Sequence, residues 1–182
     1  MKSSKLIIPA VAAGAAVVAG AYLFSKKRSI PEHATAVHPF DLQKYLGTWY
    51  EIARLEYYWE CNLDNVTATY SLREDGLVKV DNKGWNFKKE GWEESVGKAK
   101  PLDDPHTAML KVSFFGPFYA GYNVIAIDAD YKYALVAGDS LDYMWILSRE
   151  KIIPENIKQE YLNNAKSIGY EVDKLVWTRQ DR

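Results

Sequence analysis

Short stretches in which hydrophobic and polar residues alternate dominate the chain from residue 48 onward. In residues 65–72, for example, four apolar side chains alternate with an asparagine and three hydroxyl side chains. Turn signals such as Asp75-Gly76 interrupt the alternation, and this combination is typical of antiparallel strands. The stretches that the pattern predicts as strands are 48–55, 65–72, 77–86, 92–100, 108–115, 119–128, 131–138 and 143–150.

Strands that follow one another this closely predict an all-β domain. Eight antiparallel strands close naturally into an up-and-down β-barrel, and a barrel of that size has an interior that can hold one small ligand. We therefore expect an eight-stranded barrel in which one residue of every two points inward.

One segment, residues 153–170, departs from the alternation. Pro154 stands at its beginning, Gly169 stands at its end, and its apolar residues are spaced as on one face of a helix. We expect one C-terminal amphipathic helix that covers the outer wall of the barrel, followed by a last short strand at 173–179. The apolar residues of the helix are Ile157, Tyr161, Leu162, Ala165 and Ile168.

The N-terminal residues form a separate region. Lys2 and Lys5 precede an uncharged run over residues 6–24, and a basic cluster follows it. A run of this length can span a bilayer as a helix, while the small residues at 19–21 also fit a signal-peptide cleavage site. We therefore expect a hydrophobic N-terminal helix that acts as a signal or membrane anchor (1–28), a linker (29–40) and one folded domain (41–182).

The composition of the chain argues against several classes of function. The chain has 182 residues and a formal net charge of -1, so it carries no basic field that would attract nucleic acid. The three histidines are scattered and the single cysteine, Cys61, has no neighbouring histidine, so we expect neither a metal site nor a cofactor. The same cysteine lies in the predicted loop after the first strand, where nothing obvious lowers its pKa, and we do not expect it to be catalytic.

Three separated motifs carry a resemblance to a known family. Gly47-Thr48-Trp49 opens the first strand, Asp130-Tyr131 precedes the seventh, and Arg149 ends the eighth. In this order and with this strand number, the chain resembles the lipocalins, and over residues 38–180 it is similar to the bacterial outer-membrane lipocalins of the Blc type. It departs from them in having Ala129 where a threonine is usual, and in lacking a lipobox cysteine at the end of the N-terminal segment.

The resemblance implies roles for the motif residues. Trp49 would plug the closed end of the barrel and Arg149 would lay its guanidinium over the indole, a contact of about 0.5–2 kcal/mol. A short helix over 41–46, with Asp41 as its N-cap, would close that end below the ring. Gly47, Asp130 and Tyr131 would likewise serve the fold and not catalysis.

Strand parity predicts the lining of the interior. Trp145 and Leu147 share the face of Arg149, and on the sixth strand we assign Gly121, Asn123 and Ile125 inward because Gly121 leaves room. Tyr119 would stand at the mouth. The predicted ligand-binding residues are Ala68, Tyr70, Val112, Phe114, Tyr119, Asn123, Trp145 and Leu147.

The resemblance and the small lining residues favour a binding protein that stores or carries fatty acids, lysophospholipids or similar amphiphiles in the cell envelope. Its partners would be the lipid ligand and a membrane, with the outer membrane implied by the family. Two alternatives remain: an enzyme that acts on a lipophilic substrate, and a structural envelope protein with a filled barrel. The charged residues Glu51, Arg54 and Glu56 are expected to be solvated or paired charges at the rim and not acid–base catalysts.

The N-terminal segment yields a direct test. Because the only cysteine is Cys61, we expect no diacylglycerol on the N-terminal segment. The protein should fractionate with membranes only while residues 1–28 are present. Mass spectrometry of the purified N-terminus distinguishes an uncleaved anchor from cleavage after Ala21, and a lipidated cysteine would contradict the prediction.

Overall fold

The computed structural model describes residues 29–56 and 61–182. The predicted N-terminal helix lies outside these residues. Within them, no helix is both long enough and apolar enough to cross a bilayer. The elements in chain order are α1 (Leu42–Tyr45), β1 (Gly47–Leu55), β2 (Leu63–Leu72), β3 (Val78–Asn86), β4 (Gly91–Pro101), β5 (Met109–Ser113), β6 (Ala120–Ile127), β7 (Tyr133–Ala137), β8 (Met144–Ser148), α2 (Glu155–Ile168), a 3-10 turn (Val172–Lys174) and β9 (Leu175–Trp177).

The strands form a closed antiparallel barrel. Each strand from β1 to β8 pairs with the next one, and β8 pairs back with β1. The up-and-down barrel predicted from the sequence is therefore confirmed. Because the strands alternate in direction, the β3–β4, β5–β6 and β7–β8 loops lie at one end, which we call the open end. The α1 helix and the β2–β3, β4–β5 and β6–β7 loops lie at the other, the closed end.

A second core lies outside the barrel, between its wall and α2. The helix buries Tyr161, Ala165 and Ile168 against outward-facing residues such as Leu135 and Ile146. It ends at Gly169, whose φ of 113° is the left-handed conformation expected of a C-cap glycine. The predicted C-terminal helix and its apolar face are confirmed.

The C-terminal segment fills a gap in the barrel wall. β1 pairs with β2 only over Gly47–Tyr50 and then pairs with β9 from Ala53 onward. Beyond β9, the side-chain amide of Gln180 donates to the carbonyls of Glu51 and Val66, each at 2.9 Å. The chain end thus bridges β1 and β2 where the two strands separate.

Residues 29–40, expected to be a linker, lie against the barrel. Pro31 and Phe40 are buried. The backbone of Val37 donates to the carbonyl of Val124 at 2.9 Å and accepts from the amide of Ala108 at 2.9 Å. This contact is more extensive than a connecting segment requires, and the segment acts as a strap across the outer wall.

The closed end is built around Trp49, which is fully buried. The guanidinium carbon of Arg149 lies 3.8 Å from the centroid of the Trp49 ring. The indole nitrogen donates to the carbonyl of Tyr45 at 2.8 Å. The first strand is therefore fixed both to the short helix below it and to the residue that follows the last strand.

Arg149 also satisfies the carbonyl groups that α1 leaves without helical partners. Its guanidinium donates to the carbonyls of Lys44, Tyr45, Leu46, Thr48 and Tyr131 at 2.8–3.3 Å. Gly47 makes this approach possible. It has a φ of 96°, and a Cβ at this position would lie 3.3 Å from a guanidinium nitrogen.

The Asp130-Tyr131 motif forms the turn between β6 and β7. Tyr131 has a φ of 58°, and its hydroxyl accepts from the backbone of Asp41 at 2.8 Å. The carboxylate that organises the turn is that of Asp128, which accepts from the backbone of Asp130, Lys132 and Tyr133 at 2.6–3.1 Å. The Asp130 side chain itself is exposed and lies 3.9 Å from the Lys132 ammonium.

The closed-end geometry predicts strong coupling between Trp49 and Arg149. Trp49→Ala should lower the free energy of unfolding by about 3–5 kcal/mol, because it removes a buried aromatic ring. Arg149→Ala should lower it by less, and the double mutant should fall short of the sum by about 0.5–3 kcal/mol because the two side chains are in contact. Urea unfolding of the four proteins measures the coupling.

Arg149→Lys is the conservative control for this double-mutant experiment. It keeps a cation near the indole but loses the planar fork that reaches several carbonyls, so its stability should lie closer to that of Arg149→Ala than to the parent. Additive effects of Trp49→Ala and Arg149→Ala would contradict the closed-end contact.

The α2 interface predicts loss of stability at alkaline pH. Burial raises the pKa of the Tyr161 phenol well above its usual range, with Asp128 adding to the effect, and it raises the pKa of Tyr170 in the same way. Tyrosines in the unfolded chain ionise at about pH 10, whereas these two stay neutral at that pH in the folded state. The stabilisation is therefore complete below that pH and is lost as pH rises above it.

Urea unfolding as a function of pH checks this prediction. The free energy of unfolding should decline above about pH 10, and Tyr161→Phe should make the decline shallower because one titrating group is gone. The prediction fails if the parent and the variant decline with the same slope.

Candidate functional site

A cavity of about 640 Å³ opens at one end of the barrel. This volume lies within the range of about 300–1,000 Å³ that is common for small-molecule sites. Most of the side chains that border it are apolar. Those from the deeper half of the barrel include Ala68, Val78, Val80, Ala99, Leu110, Val112 and Leu147.

All the predicted ligand-binding residues except Asn123 border this cavity. Tyr119 and Phe114 come from the two ends of the β5–β6 loop, and Trp145 comes from β8. The Trp145 ring is stacked on that of Tyr143 with centroids 6.4 Å apart. Ala68, Tyr70, Val112 and Leu147 occupy inward positions on β2, β5 and β8.

The inward assignment of Asn123 is wrong, and with it the parity assigned to β6. Asn123 is fully buried on the outer face, where its amide donates to the carbonyls of Ser29, Ala137 and Gly138 at 2.7–3.3 Å. The space beside Gly121 is also on the outer face and is taken by the backbone of Ser29. The room that this glycine leaves therefore serves the strap and not a ligand.

The residue that points inward from β6 is Tyr122, on the face of the strand opposite to Asn123. Its hydroxyl lies 2.6 Å from that of Tyr45 and 2.7 Å from that of Tyr70. The rings of Tyr45 and Trp49 are 4.8 Å apart, so the three tyrosines rest directly on the closed-end plug. Together, Tyr45, Tyr70 and Tyr122 form the tyrosine cluster at the floor of the cavity.

The tyrosine cluster is neutral. Burial raises the pKa of Tyr45 and of Tyr122 well above the usual range, and the Tyr70 phenol adds to the effect on both. The hydrogen bond with Tyr122 partly offsets the raised pKa of Tyr45. Two hydroxyl–hydroxyl bonds use two of the three O–H protons, so the floor presents aromatic rings and paired hydroxyls, without a charge. Such a floor suits an apolar chain.

Glu51 and Arg54 are paired, but they are buried and do not stand at the rim. One Glu51 carboxylate oxygen accepts from Arg54 at 2.6 Å and from the Thr178 hydroxyl at 2.5 Å. Both side chains are almost fully buried, and Glu51 borders the cavity. Glu56, which lies 3.8 Å from Arg54, is about half exposed and is the only one of the three that matches the expected position. In the sequence, Glu51 and Arg54 could be recognised as charged positions inside a predicted strand that is otherwise mostly apolar.

Other polar groups border the cavity near its open end. Glu93 and Ser95 lie on the inner face of the β3–β4 hairpin, whereas Lys83 and Glu94, which form an ion pair at 3.0 Å, lie on its outer face. Asn82 also borders the cavity, and its side-chain oxygen is buried without a hydrogen-bond partner among the described residues. Asp139, from the β7–β8 loop, borders the cavity from another side. The cavity is therefore apolar and aromatic at its floor, and most of its polar side chains lie nearer its mouth.

Cys61 lies in the β1–β2 loop and is not among the described residues that border the cavity. The part of the chain that the structure describes contains no group of three or more His, Cys, Asp or Glu residues arranged to hold a metal ion. The chemistry available at the cavity is thus apolar contact, hydrogen bonding and the charges of the hairpin.

Comparison with known sequences supports this description. The family model of the lipocalin-like domain matches residues 40–180. The chain is 52% identical over 176 residues to the outer membrane lipoprotein Blc of Citrobacter freundii, which covers 96% of this chain and 97% of that protein. It is 36% identical over 153 residues to the temperature-induced lipocalin-1 of Arabidopsis thaliana, covering 79% and 81% of the two chains.

Solved structures show the same fold at low sequence identity. Insecticyanin from the tobacco hornworm Manduca sexta superposes with a TM-score of 0.66 at 19% identity, covering 83% of this chain and 86% of that one. Apocrustacyanin C1 has a TM-score of 0.66 at 16% identity, covering 84% and 91%. Because the family model matches residues 40–180 and the Blc relative is 52% identical over 96% of the chain, the chain belongs to the lipocalin family.

Proposed function

We propose that this protein binds single-chain amphiphiles, such as fatty acids or lysophospholipids, and stores or carries them in the cell envelope. The observation that carries the proposal is the cavity, with its aromatic and apolar floor and most of its polar side chains nearer the mouth. An amphiphile whose acyl chain points to the floor would bury its methylenes and leave its head group near Asn82, Glu93 and Ser95. Membership of the lipocalin family supports binding of small lipophilic ligands.

We also propose that the protein is anchored in the envelope, at the outer membrane. Several relatives are named outer membrane lipoprotein Blc. The uncharged run over residues 6–24 offers this chain an apolar segment in place of a lipidated cysteine. The anchor would keep the cavity beside the lipids that it takes up.

Binding without turnover is the function that the cavity supports best. The buried Glu51 carboxylate accepts hydrogen bonds from Arg54 and Thr178, and an acid–base role would first have to break this ion pair. Incubation with candidate lipids, followed by mass spectrometry, tests the alternative. Accumulation of a chemically altered lipid would support an enzyme.

The apolar floor predicts how affinity depends on chain length. Affinity for saturated fatty acids should rise with each added methylene by up to about 0.8 kcal/mol and level off when the cavity is full. Displacement of a fluorescent fatty acid measures the series. Ala68→Phe should move the plateau to shorter chains, because Ala68 borders the cavity and a phenyl ring would occupy part of it.

Two tryptophans provide a matched pair of variants. Trp145→Ala should weaken binding of long chains because it removes part of the cavity wall. Trp177→Ala should not, since that side chain lies on the outside in β9 and is 43% exposed. Cys61→Ser should also leave binding nearly unchanged. No binding of any acyl chain by the parent, or equal losses from Trp145→Ala and Trp177→Ala, would contradict the proposed function.

A further inference from the structure

The β5–β6 loop carries exposed aromatic side chains at the open end. Phe118 is 78% exposed and Phe115 is 64% exposed, the former being the most exposed large apolar side chain among the described residues. The loop is ordered by its own hydrogen bonds, from the Ser113 hydroxyl to the carbonyl of Gly116 at 3.2 Å and from the amide of Phe118 to the carbonyl of Phe115 at 3.3 Å. Apolar side chains held outward in this way indicate a binding surface.

Below Phe115 and Phe118, at the tip of the loop, the side chains become gradually more polar. Tyr119 is 39% exposed, and the ammonium groups of Lys100 and Lys111 each lie 5.6 Å from the centroid of its ring. The order from the tip to the wall is therefore phenylalanine, tyrosine and lysine. This order matches the layers of a membrane interface, where apolar rings enter the acyl region, tyrosine lies at the head groups and lysine meets anionic phosphates.

The attachment point of the N-terminal segment lies beside this loop. Ser29, the first described residue, packs against Gly121 and accepts a hydrogen bond from Asn123 at 2.7 Å. Gly121 is only two residues beyond Tyr119. The path into residues 1–28 therefore leaves the barrel near its open end.

Chain length makes this attachment a geometric constraint. Five residue steps separate Ser29 from Phe24, the last residue of the apolar run, and they span at most about 18 Å when fully extended. β4, with 11 residues, is about 36 Å long at about 3.3 Å per residue. A membrane that holds the apolar run therefore has the open end of the barrel close to it, and the closed end is farther away.

We propose that the β5–β6 loop docks on the bilayer that holds the N-terminal segment, with Phe115 and Phe118 inserted among the lipids and Lys100 and Lys111 facing anionic head groups. The cavity mouth then opens onto the membrane surface. This inference goes beyond ligand binding and rests on the proposed anchor, since without an anchor the chain has no fixed distance to a membrane. It commits to a lipid surface and not to a protein partner.

Fluorescent labels on the full-length chain, reconstituted in vesicles, test the docking. In a Cys61→Ser background, Phe118→Cys and Ile152→Cys each receive one environment-sensitive fluorophore. Ile152 is the matched control because it is 72% exposed but follows β8 at the closed end. The label at 118 should shift its emission to the blue and be quenched by nitroxide-bearing phospholipids, and the label at 152 should do neither.

A second experiment varies the charge of the lipid head groups and the charge of the two lysines. The blue shift at 118 should be larger in vesicles of phosphatidylcholine mixed with phosphatidylglycerol than in phosphatidylcholine alone. Lys100→Glu combined with Lys111→Glu should remove that difference, and an unchanged difference would overturn the role given to the lysines. A label at 118 that stays in water, or that shifts to the blue without nitroxide quenching because it enters the protein's own cavity, would overturn the docking proposal.

Fatty-acid displacement in the same vesicles separates this inference from the proposed function. Lys100→Glu combined with Lys111→Glu should weaken membrane contact of the loop in anionic vesicles and keep ligand binding, since neither lysine is among the described residues that border the cavity. Retained binding with no sign of lipid contact at 118 would sink the docking alone. Lipid contact at 118 in a protein that binds no acyl chain would leave docking in place and contradict the lipid-carrier function.

Discussion

The contact between Arg149 and Trp49 is the constraint on which the rest of the barrel depends. A barrel that is to remain hollow must be sealed at one end without being filled throughout. One guanidinium achieves this by covering the indole of the first strand and donating to carbonyls of α1, of β1 and of the β6–β7 turn. It therefore connects the first strand, the short helix and the end of the last strand at a single point.

A hollow interior also requires stabilisation from elsewhere, because an empty space forgoes the packing contacts of a filled core. Two sources replace them here. The closed-end core packs Phe40, Tyr45 and Trp49 beneath the cavity, and the outer core packs α2 against the wall formed by β7 and β8. The strap over residues 29–40 and the segment after β9 cover further parts of the wall. The barrel can thus hold its shape while its open half stays available to a ligand.

The side chains that line the cavity also change in polarity from its closed end to its open end. At the floor, burial keeps the tyrosine cluster neutral, and apolar residues surround it. Near the mouth, Glu93 introduces charge, and the β5–β6 loop presents phenylalanines to the outside. A ligand that is apolar at one end and polar at the other fits this order in only one orientation, with its head group toward the surface where the loop lies.

The sequence by itself determined the elements of this protein. Period-two alternation and turn residues marked the strands, helical spacing between Pro154 and Gly169 marked α2, and the three separated motifs indicated the lipocalin family. Parity also placed Trp145 and Leu147 on the cavity side, because the other face of β8 is packed against α2 and the position of Arg149 provided a reference within the same strand.

Only the tertiary structure decided which face of β6 is the inner one. Both faces of that strand are covered, one by the cavity with Tyr122 and the other by the strap at Ser29. Apolar residues therefore occur on both faces, the polar side chain of Asn123 is itself buried, and alternation carries no direction. Burial of Glu51 with Arg54 likewise depended on Thr178, which lies more than a hundred residues away in sequence and reaches the pair only because the chain end returns to β1. Local pattern specifies a strand, but it does not say what will lie against each of its faces, since that is set by segments distant along the chain.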